Sequence, residues 1–416
     1  MGFRGAKGLL GLVALALLAT GCSAGEQKRA AAAIEVDRPV TLVDEAVRIR
    51  ITGLNAGERV TVTAEADDRA GTWKGEARFT ADRRGVVDLT RAKPLSGTYA
   101  GADGMGLFWS MEAPPGGESR RSFEQLFPEQ ERDFTVLLSA TGDDRPAARR
   151  EITRVRMAEG VGSRALLLKQ DKVAGRLYQP PQGTPKRAPV LIFGGSEGGG
   201  DYTRPEAALL ASRGHPTLSL CYFGCDGLPK ELANIPLEYF AEGARLVARQ
   251  PGAKPGGVVA IGASRGTEPA QLLAQYYPDV VRDAVVFAPT DQIVTGFPDM
   301  SKPAWLRGGK PFPEGFPIPY DQVRGTVLAI AGGKDTLWDT RKSSESIAAR
   351  RGTAEPHRAL IHPGAGHALN SYPHTPRSTF SWAADLQDFI SMGGSRPADA
   401  KARAQAWPEV LRVLTR

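Results

Sequence analysis

The chain has 416 residues, of which 41% are hydrophobic and 24% charged, and a net charge of +7. That length implies roughly two to three domains and a large core. Lys and Arg are interspersed with Asp and Glu, with no basic block and no aromatic-basic alternation, which excludes a nucleic-acid footprint.

At the N-terminus Arg4 and Lys7 precede an apolar run over 9–18, and Ala19-Thr20-Gly21 follows it. This is the pattern of a secretory signal peptide over residues 1–21, too short for a comfortable membrane span. The next residue is Cys22, and Leu18-Ala19-Thr20-Gly21-Cys22 resembles the lipobox of bacterial lipoproteins, although the position of Ala19 usually holds a larger residue. The resemblance implies a lipid anchor at Cys22, a tether over 22–33 and an extracytoplasmic, membrane-anchored location. Plain secretion is the alternative.

From 34 to 159 short strand-like runs at 47–51, 60–64, 77–80 and 134–138 are separated by turn residues such as Gly53, Asn55-Ala56-Gly57 and Arg84-Gly85. Alternation and β-branching make these half-buried strands, and their spacing predicts a β-sandwich. From 160 to 416 the texture changes. Apolar runs at 190–193, 217–220, 258–261, 284–287, 327–330 and 359–361 alternate with helical patterns at 204–213, 237–249, 268–277 and 342–351. This β-α alternation predicts a mostly parallel sheet covered by helices, with its strands buried on both faces. The segment 290–322 fits neither pattern. It is rich in Pro and Gly, carries Phe297, Trp305, Phe312, Phe316 and Tyr320, and reads as a lid or pocket wall.

The chemistry centres on Gly262-Ala263-Ser264-Arg265-Gly266, which follows an apolar β-branched run and opens a helical one. In a strand-turn-helix setting this is a nucleophile elbow, with Ser264 on a sharp turn and glycines allowing close backbone approach. A serine hydroxyl needs a base and a residue to orient that base. In such a sheet they follow in the order serine, acid, histidine on loops after later strands. Asp335 follows the run at 326–331, and His367 follows the run at 359–361 on the glycine-rich loop 362–367. Asp339 is better placed to start the next helix. His362 ends a strand, His374 lies further along a polar loop, and His215 and His357 precede the strands they introduce. An oxyanion hole needs backbone N–H groups. Arg265 supplies one by position, and Ser196 or Glu197, in the glycine-rich stretch 194–200, supplies the second. No Gly-Lys-Ser/Thr ending or dinucleotide fingerprint accompanies that stretch.

Cys221 and Cys225 lie four residues apart around Gly224, and the sequence leaves both a small disulfide loop and two buried thiols open. No second cysteine pair or neighbouring histidine supports a zinc site, and no cofactor is expected.

Several strings resemble the acyl-CoA thioesterase and bile acid-CoA:amino acid N-acyltransferase family. They are Met105-Gly106-Leu107-Phe108-Trp109, Ile235-Pro236-Leu237-Glu238-Tyr239-Phe240, the Ser264 elbow, Gly333-Lys334-Asp335-Thr336-Leu337-Trp338 and Pro363-Gly364-Ala365-Gly366-His367. The resemblance implies an Ig-like N-terminal domain, an α/β-hydrolase C-terminal domain, and a triad of Ser264, His367 and Asp335 acting on acyl thioesters through an acyl-enzyme. Conjugating members of that family characteristically use a cysteine nucleophile, so a serine favours water as acceptor. The export signal separates this chain from intracellular pools of acyl-CoA. Hydrolysis of other acyl esters, acyl transfer to an amine, and a non-catalytic envelope binding role in which the Ig-like domain contacts a partner are therefore the alternatives; for the enzyme reading no stable protein partner is inferred.

Overall fold

A computed structural model describes residues 32–116, 120–123, 127–142, 146–353, 356–383 and 387–416. The segment 1–21, Cys22 and most of the tether lie outside the described residues.

Among the described residues the N-terminal part holds nine strands: β1 (Ala33–Val36), β2 (Val40–Leu42), β3 (Ile49–Thr52), β4 (Arg59–Asp68), β5 (Gly71–Thr80), β6 (Val87–Asp88), β7 (Ser96–Gly97), β8 (Asp133–Gly142) and β9 (Ala148–Val155). They form two sheets, ordered β1-β3-β6 and β2-β9-β8-β4-β5-β7. Alternation decides their faces. Val60, Val62, Ala64 and Ala66 of β4 point inward and share one core with Ile49 and Ile51 of the smaller sheet. The helical turn α1 (Gly106–Trp109) plugs this sandwich, and it is made of the Met-Gly-Leu-Phe-Trp string. It lies directly on β5: a Cβ on Gly75 would stand 2.0 Å from Leu107 O, and one on Gly106 would stand 2.2 Å from the Tyr99 ring.

The C-terminal part adds β10 (Gly162–Leu166), β11 (Ala174–Gln179), β12 (Val190–Phe193), β13 (Thr217–Cys221), β14 (Ile235–Pro236), β15 (Val258–Ala263), β16 (Val281–Phe287), β17 (Trp305–Arg307), β18 (Lys310–Pro311), β19 (Val327–Gly332), β20 (Arg358–His362), β21 (Phe380–Ala383) and β22 (Asp388–Ser391). Its helices are α2 (Leu168–Asp171), α3 (Arg204–Ser212), α4 (Leu237–Ala248), α5 (Thr267–Tyr276), α6 (Thr340–Ala349) and α7 (Arg396–Leu414). Eight strands form one sheet in the order β10-β11-β13-β12-β15-β16-β19-β20. It is parallel from β13 to β20 and antiparallel at β10–β11 and β11–β13. This is the α/β-hydrolase topology.

Strands β12, β13, β15 and β19 are buried at every position, as continuous apolar runs require. β20 departs from the expectation of burial on both faces: it is half-buried throughout because it is the edge strand. The antiparallel pair β10–β11 has no apolar run, and the sequence reading missed it for that reason.

The segment 290–322 is neither structureless nor a free flap. Ile293, Ala304, Trp305, Ile318 and Tyr320 are buried in the same core as α4 and α5, and β17 pairs with β14 and β18. Its apolar side chains contribute about 1.5 to 3 kcal/mol each on burial, which anchors it. Only around Phe297 and Pro298 does it reach the cavity beside Ser264 and form a wall.

The two parts are tied through Asp44. The Arg213 guanidinium at the end of α3 grips this fully buried carboxylate with Nε and Nη2, each at 2.8 Å, and Trp407 of α7 donates to it at 2.6 Å. Such a bidentate, charge-assisted contact fixes orientation as well as distance.

Candidate active site

Strand β15 ends at Ala263, one 3-10 turn spans Ser264–Gly266, and α5 begins at Thr267. Ser264 sits at φ 53°, a left-handed conformation that costs a non-glycine residue energy and is held by its surroundings. The flanking glycines are steric necessities. A Cβ on Gly262 would meet Gly266 O at 2.2 Å, and one on Gly266 would meet Gly194 O at 2.1 Å. The elbow and the glycine-rich loop after β12 are thus in backbone contact.

His367 is buried on the loop after β20. Its Nδ1 lies 2.7 Å from Asp335 Oδ2, on the loop after β19. Because a carboxylate only accepts, Nδ1 carries the proton and Nε2 presents its lone pair. Nε2 is buried and has no hydrogen-bond partner among the described residues. Ser264 and His367 line the same cavity of about 660 Å³. Asp335 is oriented in turn, since its Oδ1 accepts the Leu337 amide at 2.8 Å. The Trp338 ring packs edge-on against the imidazole, with centroids 4.9 Å apart.

The competing residues are placed elsewhere. Asp339 caps α6 by accepting the Lys342 amide at 3.0 Å. His357 accepts the Val327 amide through Nδ1. His215 and His374 are pushed down to about 4 and about 3, chiefly by burial, helped by the Arg187 and Arg213 charges against the Ala188 carbonyl contact at His215 and by the Arg154 and Arg403 charges at His374. Burial also lowers His362.

The Glu197 carboxylate accepts the Gly195 amide at 2.9 Å. Ser196 lines the cavity, and Arg265 follows Ser264 in the 3-10 turn. Glu197 lines the cavity and is exposed to it. Desolvation by the packed loop raises its pKa, and nearby amides and the His367 charge oppose the rise. A Cβ on Gly195 would be 2.7 Å from Ser264 Cβ and 3.0 Å from Glu197 Oε2, so the elbow and this carboxylate crowd one point.

The Arg265 side chain turns away from the cavity. Its Nε pairs with Glu268 Oε1 at 2.7 Å and its Nη2 donates to Val294 O and Thr295 O. Glu268 Oε2 accepts from Trp305 Nε1 and the Val294 amide. This buried network staples 290–322 to the elbow.

Two supporting residues, Tyr222 and Asp399, escaped the sequence reading. The Tyr222 hydroxyl, 2.5 Å from Gly195 O and 3.1 Å from Gly194 O, props the glycine-rich loop. Cys221 and Cys225 on either side of it are joined in a disulfide. Asp399 of α7 accepts the Gly366 amide at 2.8 Å and so holds the His367 loop; burial raises its pKa to about 6. Only the position of Tyr222 just after a strand carried any signal.

Residues 44–166 match the acyl-CoA thioester hydrolase/BAAT N-terminal region, and residues 311–416 match the BAAT/acyl-CoA thioester hydrolase C-terminal region, together more than half of the chain. The chain belongs to the acyl-CoA thioester hydrolase/BAAT family. It is 27% identical over 403 residues to Acyl-coenzyme A amino acid N-acyltransferase 1 of Mus musculus, covering 90% of this chain and 94% of that protein. To Peroxisomal succinyl-coenzyme A thioesterase of Mus musculus it is 27% identical over 408 residues, covering 88% of this chain and 92% of that protein. Among solved structures, a dienelactone hydrolase-like promiscuous phosphotriesterase from metagenomic libraries aligns with TM-score 0.41 and 16% identity over 61% of this chain and 98% of that one. Within this family the string 235–240 is structural here: Tyr239 donates to Cys221 O at 2.6 Å, and Phe240 packs between Phe193, Tyr222 and Trp305.

Proposed function

We propose that this chain is a serine hydrolase of acyl thioesters. Ser264 Oγ gives its proton to His367 Nε2 and attacks the carbonyl carbon. The oxyanion is met by the Arg265 amide and an amide of the 194–197 loop, with Ser196 and Glu197 the candidates. Collapse breaks the C–S bond, and the imidazolium returns the proton to the leaving thiolate. Water, deprotonated by His367, then releases the acid and regenerates Ser264. Asp335 holds the imidazole tautomer and stabilises its charged form. The observation that carries this reading is that His367, whose Nδ1 is engaged by Asp335 and whose Nε2 is buried without a partner among the described residues, lines the same cavity as Ser264.

Acyl thioesters are favoured over other esters by the relatives, which include an acyl-CoA thioesterase and an acyl-CoA N-acyltransferase. The test is hydrolysis of an acyl-CoA panel beside p-nitrophenyl esters, with Ser264→Ala as control. An unchanged rate in that variant rejects the assignment. A product that shifts from free acid to conjugate as amine is added instead identifies a transferase.

The location is proposed from residues 1–22, namely export and lipidation at Cys22. The Cys221–Cys225 bond supports it, because structural disulfides belong to oxidising compartments. Among the described residues no helix is long and apolar enough to cross a membrane. Metabolic labelling with palmitate, lost in Cys22→Ser, checks the anchor; a soluble, unlabelled product leaves plain secretion.

A further inference from the structure

The rim of the Ser264 crevice is apolar and faces water. Among the described residues nine large apolar side chains are exposed, and five of them, Tyr202, Phe297, Leu337, Phe380 and Trp382, line this one crevice. A sixth, Met300, follows Phe297 by three residues in the same insert. Exposed apolar residues scattered singly are ordinary, whereas a cluster around one opening marks an interaction surface. Four segments supply it: the turn before α3, the insert 290–322, the loop after β19 and strand β21. Tyr202, Met300 and Trp382 are 69%, 65% and 51% exposed, too open to serve only as walls of the crevice.

Strand β21 carries the pattern furthest. Along it Phe380 and Trp382 are exposed while Ser381 and Ala383 are half-buried, the reverse of a strand that turns its apolar side chains inward. Among the described residues it pairs only with β22, and the two form a sheet of their own. Phe389, opposite Trp382, packs against its ring with centroids 5.3 Å apart, yet none of these three aromatics joins the hydrophobic cores of the two domains. A lone hairpin is marginally stable in water, so its outward aromatic face gains from being covered.

Charge and access identify the cover. The recess beside the crevice shares Tyr202, Phe380 and Trp382 with it and adds Arg69 and Arg121, both exposed, while its lining carboxylate, Asp201, is paired with Arg204 at 2.7 Å. Aromatic side chains next to arginines match the boundary of an anionic bilayer, where rings lie at headgroup level and guanidinium groups meet phosphates. The rim surrounds the mouth through which an acyl chain reaches Ser264, so a tightly held protein partner on it closes the site. A fluid lipid surface covers the same rim and supplies acyl chains through it. We propose that this rim docks the protein on an anionic lipid surface and that acyl substrates enter the Ser264 crevice from that surface. The docking stands on the rim alone; its use in turnover rests on the hydrolase reading above.

The test uses residues 23–416, which contain every element described above, so that no lipid anchor contributes. Binding is read on Ser264→Ala by sedimentation with phosphatidylcholine vesicles, with and without phosphatidylglycerol. The protein sediments with the phosphatidylglycerol vesicles, less so as salt rises. Lipids brominated in their acyl chains quench a tryptophan signal that is lost in Trp382→Ser. Met300→Ser/Trp382→Ser, both outside the cores, weakens the binding about tenfold or more. Arg69→Ala/Arg121→Ala removes the preference for phosphatidylglycerol. With Ser264 restored, turnover of a long-chain acyl thioester held in those vesicles, relative to that of a short soluble thioester, falls by a similar factor in the apolar variant. Equal sedimentation with the native rim and the apolar variant, or none with either, overturns the docking and leaves the hydrolase standing. A concentration-dependent dimer that the same variant abolishes assigns the rim to a second copy and overturns the docking too. A chain that binds vesicles but hydrolyses neither thioester overturns the hydrolase reading alone.

Discussion

His367 Nδ1 and Asp335 Oδ2 lie 2.7 Å apart with both side chains almost wholly buried, while Asp339, four residues further on, spends its carboxylate on capping α6. The two acids are therefore separable by experiment. Asp335→Asn preserves shape but offers the imidazole the wrong partner, and kcat falls by about 10⁴-fold. Asp339→Ala removes an N-cap, costs about 0.5 to 2 kcal/mol of stability, and leaves kcat within a factor of two or so. Steady-state kinetics and urea unfolding of the two variants check this; the reverse ranking would move the acid of the triad to Asp339.

The Arg265–Glu268 pair makes the segment 290–322 part of the elbow. Glu268→Gln leaves the Arg265 charge buried without its counter-ion, and stability falls by about 3 to 5 kcal/mol in urea unfolding. The double variant Arg265→Met/Glu268→Leu removes both charges and recovers most of that loss. If the double variant is no more stable than the single one, the network is not governed by the uncompensated charge.

The elbow, Asp335 and His367 were legible because each follows an apolar run that has no other fold available: 258–263, 327–332 and 358–362 became strands of one sheet, and their C-terminal loops converge. The supporting residues were not legible. Tyr222, Trp338 and Asp399 act through distances set by three different elements, and no local pattern marks a tyrosine that will lie under a glycine loop. Segment 290–322 was legible as a pocket wall but not in its packing, for a related reason. Its Pro and Gly suppress regular structure, yet Trp305 and Tyr320 reach the core through side-chain burial that periodicity does not register.

The disulfide between Cys221 and Cys225 flanks Tyr222, whose hydroxyl props Gly194 and Gly195. Closing so short a loop contributes about 2 kcal/mol by chain entropy. Cys221→Ser/Cys225→Ser accordingly lowers the melting temperature by several degrees. Tyr222→Phe is expected to do the reverse in kind, lowering kcat more than it raises KM, because it loosens the loop facing the oxyanion while leaving the core rings in place. A Tyr222→Phe enzyme with wild-type kcat would show that the loop holds itself.

His215 supplies a pH signature. It is buried between α3 and β13, with Nδ1 2.9 Å from Ala188 O, and burial holds its pKa down at about 4, with the Arg187 and Arg213 charges acting in the same direction and the carbonyl contact against. In the unfolded chain an ordinary histidine titrates near 6.5. Between these values the unfolded state binds the extra proton, so this residue's contribution favours folding above about pH 6.5 and is lost as pH falls towards 4. At about 1.4 kcal/mol per unit the loss is on the order of 3 kcal/mol. Asp399, raised to about 6, works in the opposite sense, since its protonated form is favoured in the folded state and stability from it grows as pH falls. The whole-protein curve mixes the two, and a difference isolates the first. In His215→Asn, which keeps an N–H for Ala188 O but cannot titrate, the unfolding free energy measured in urea falls less steeply between pH 6.5 and 4 than in the wild type, and the gap between the two proteins shifts in the variant's favour by up to that amount. A gap that stays constant from pH 7 to 4 would mean that His215 is protonated in the folded protein as readily as in the unfolded chain.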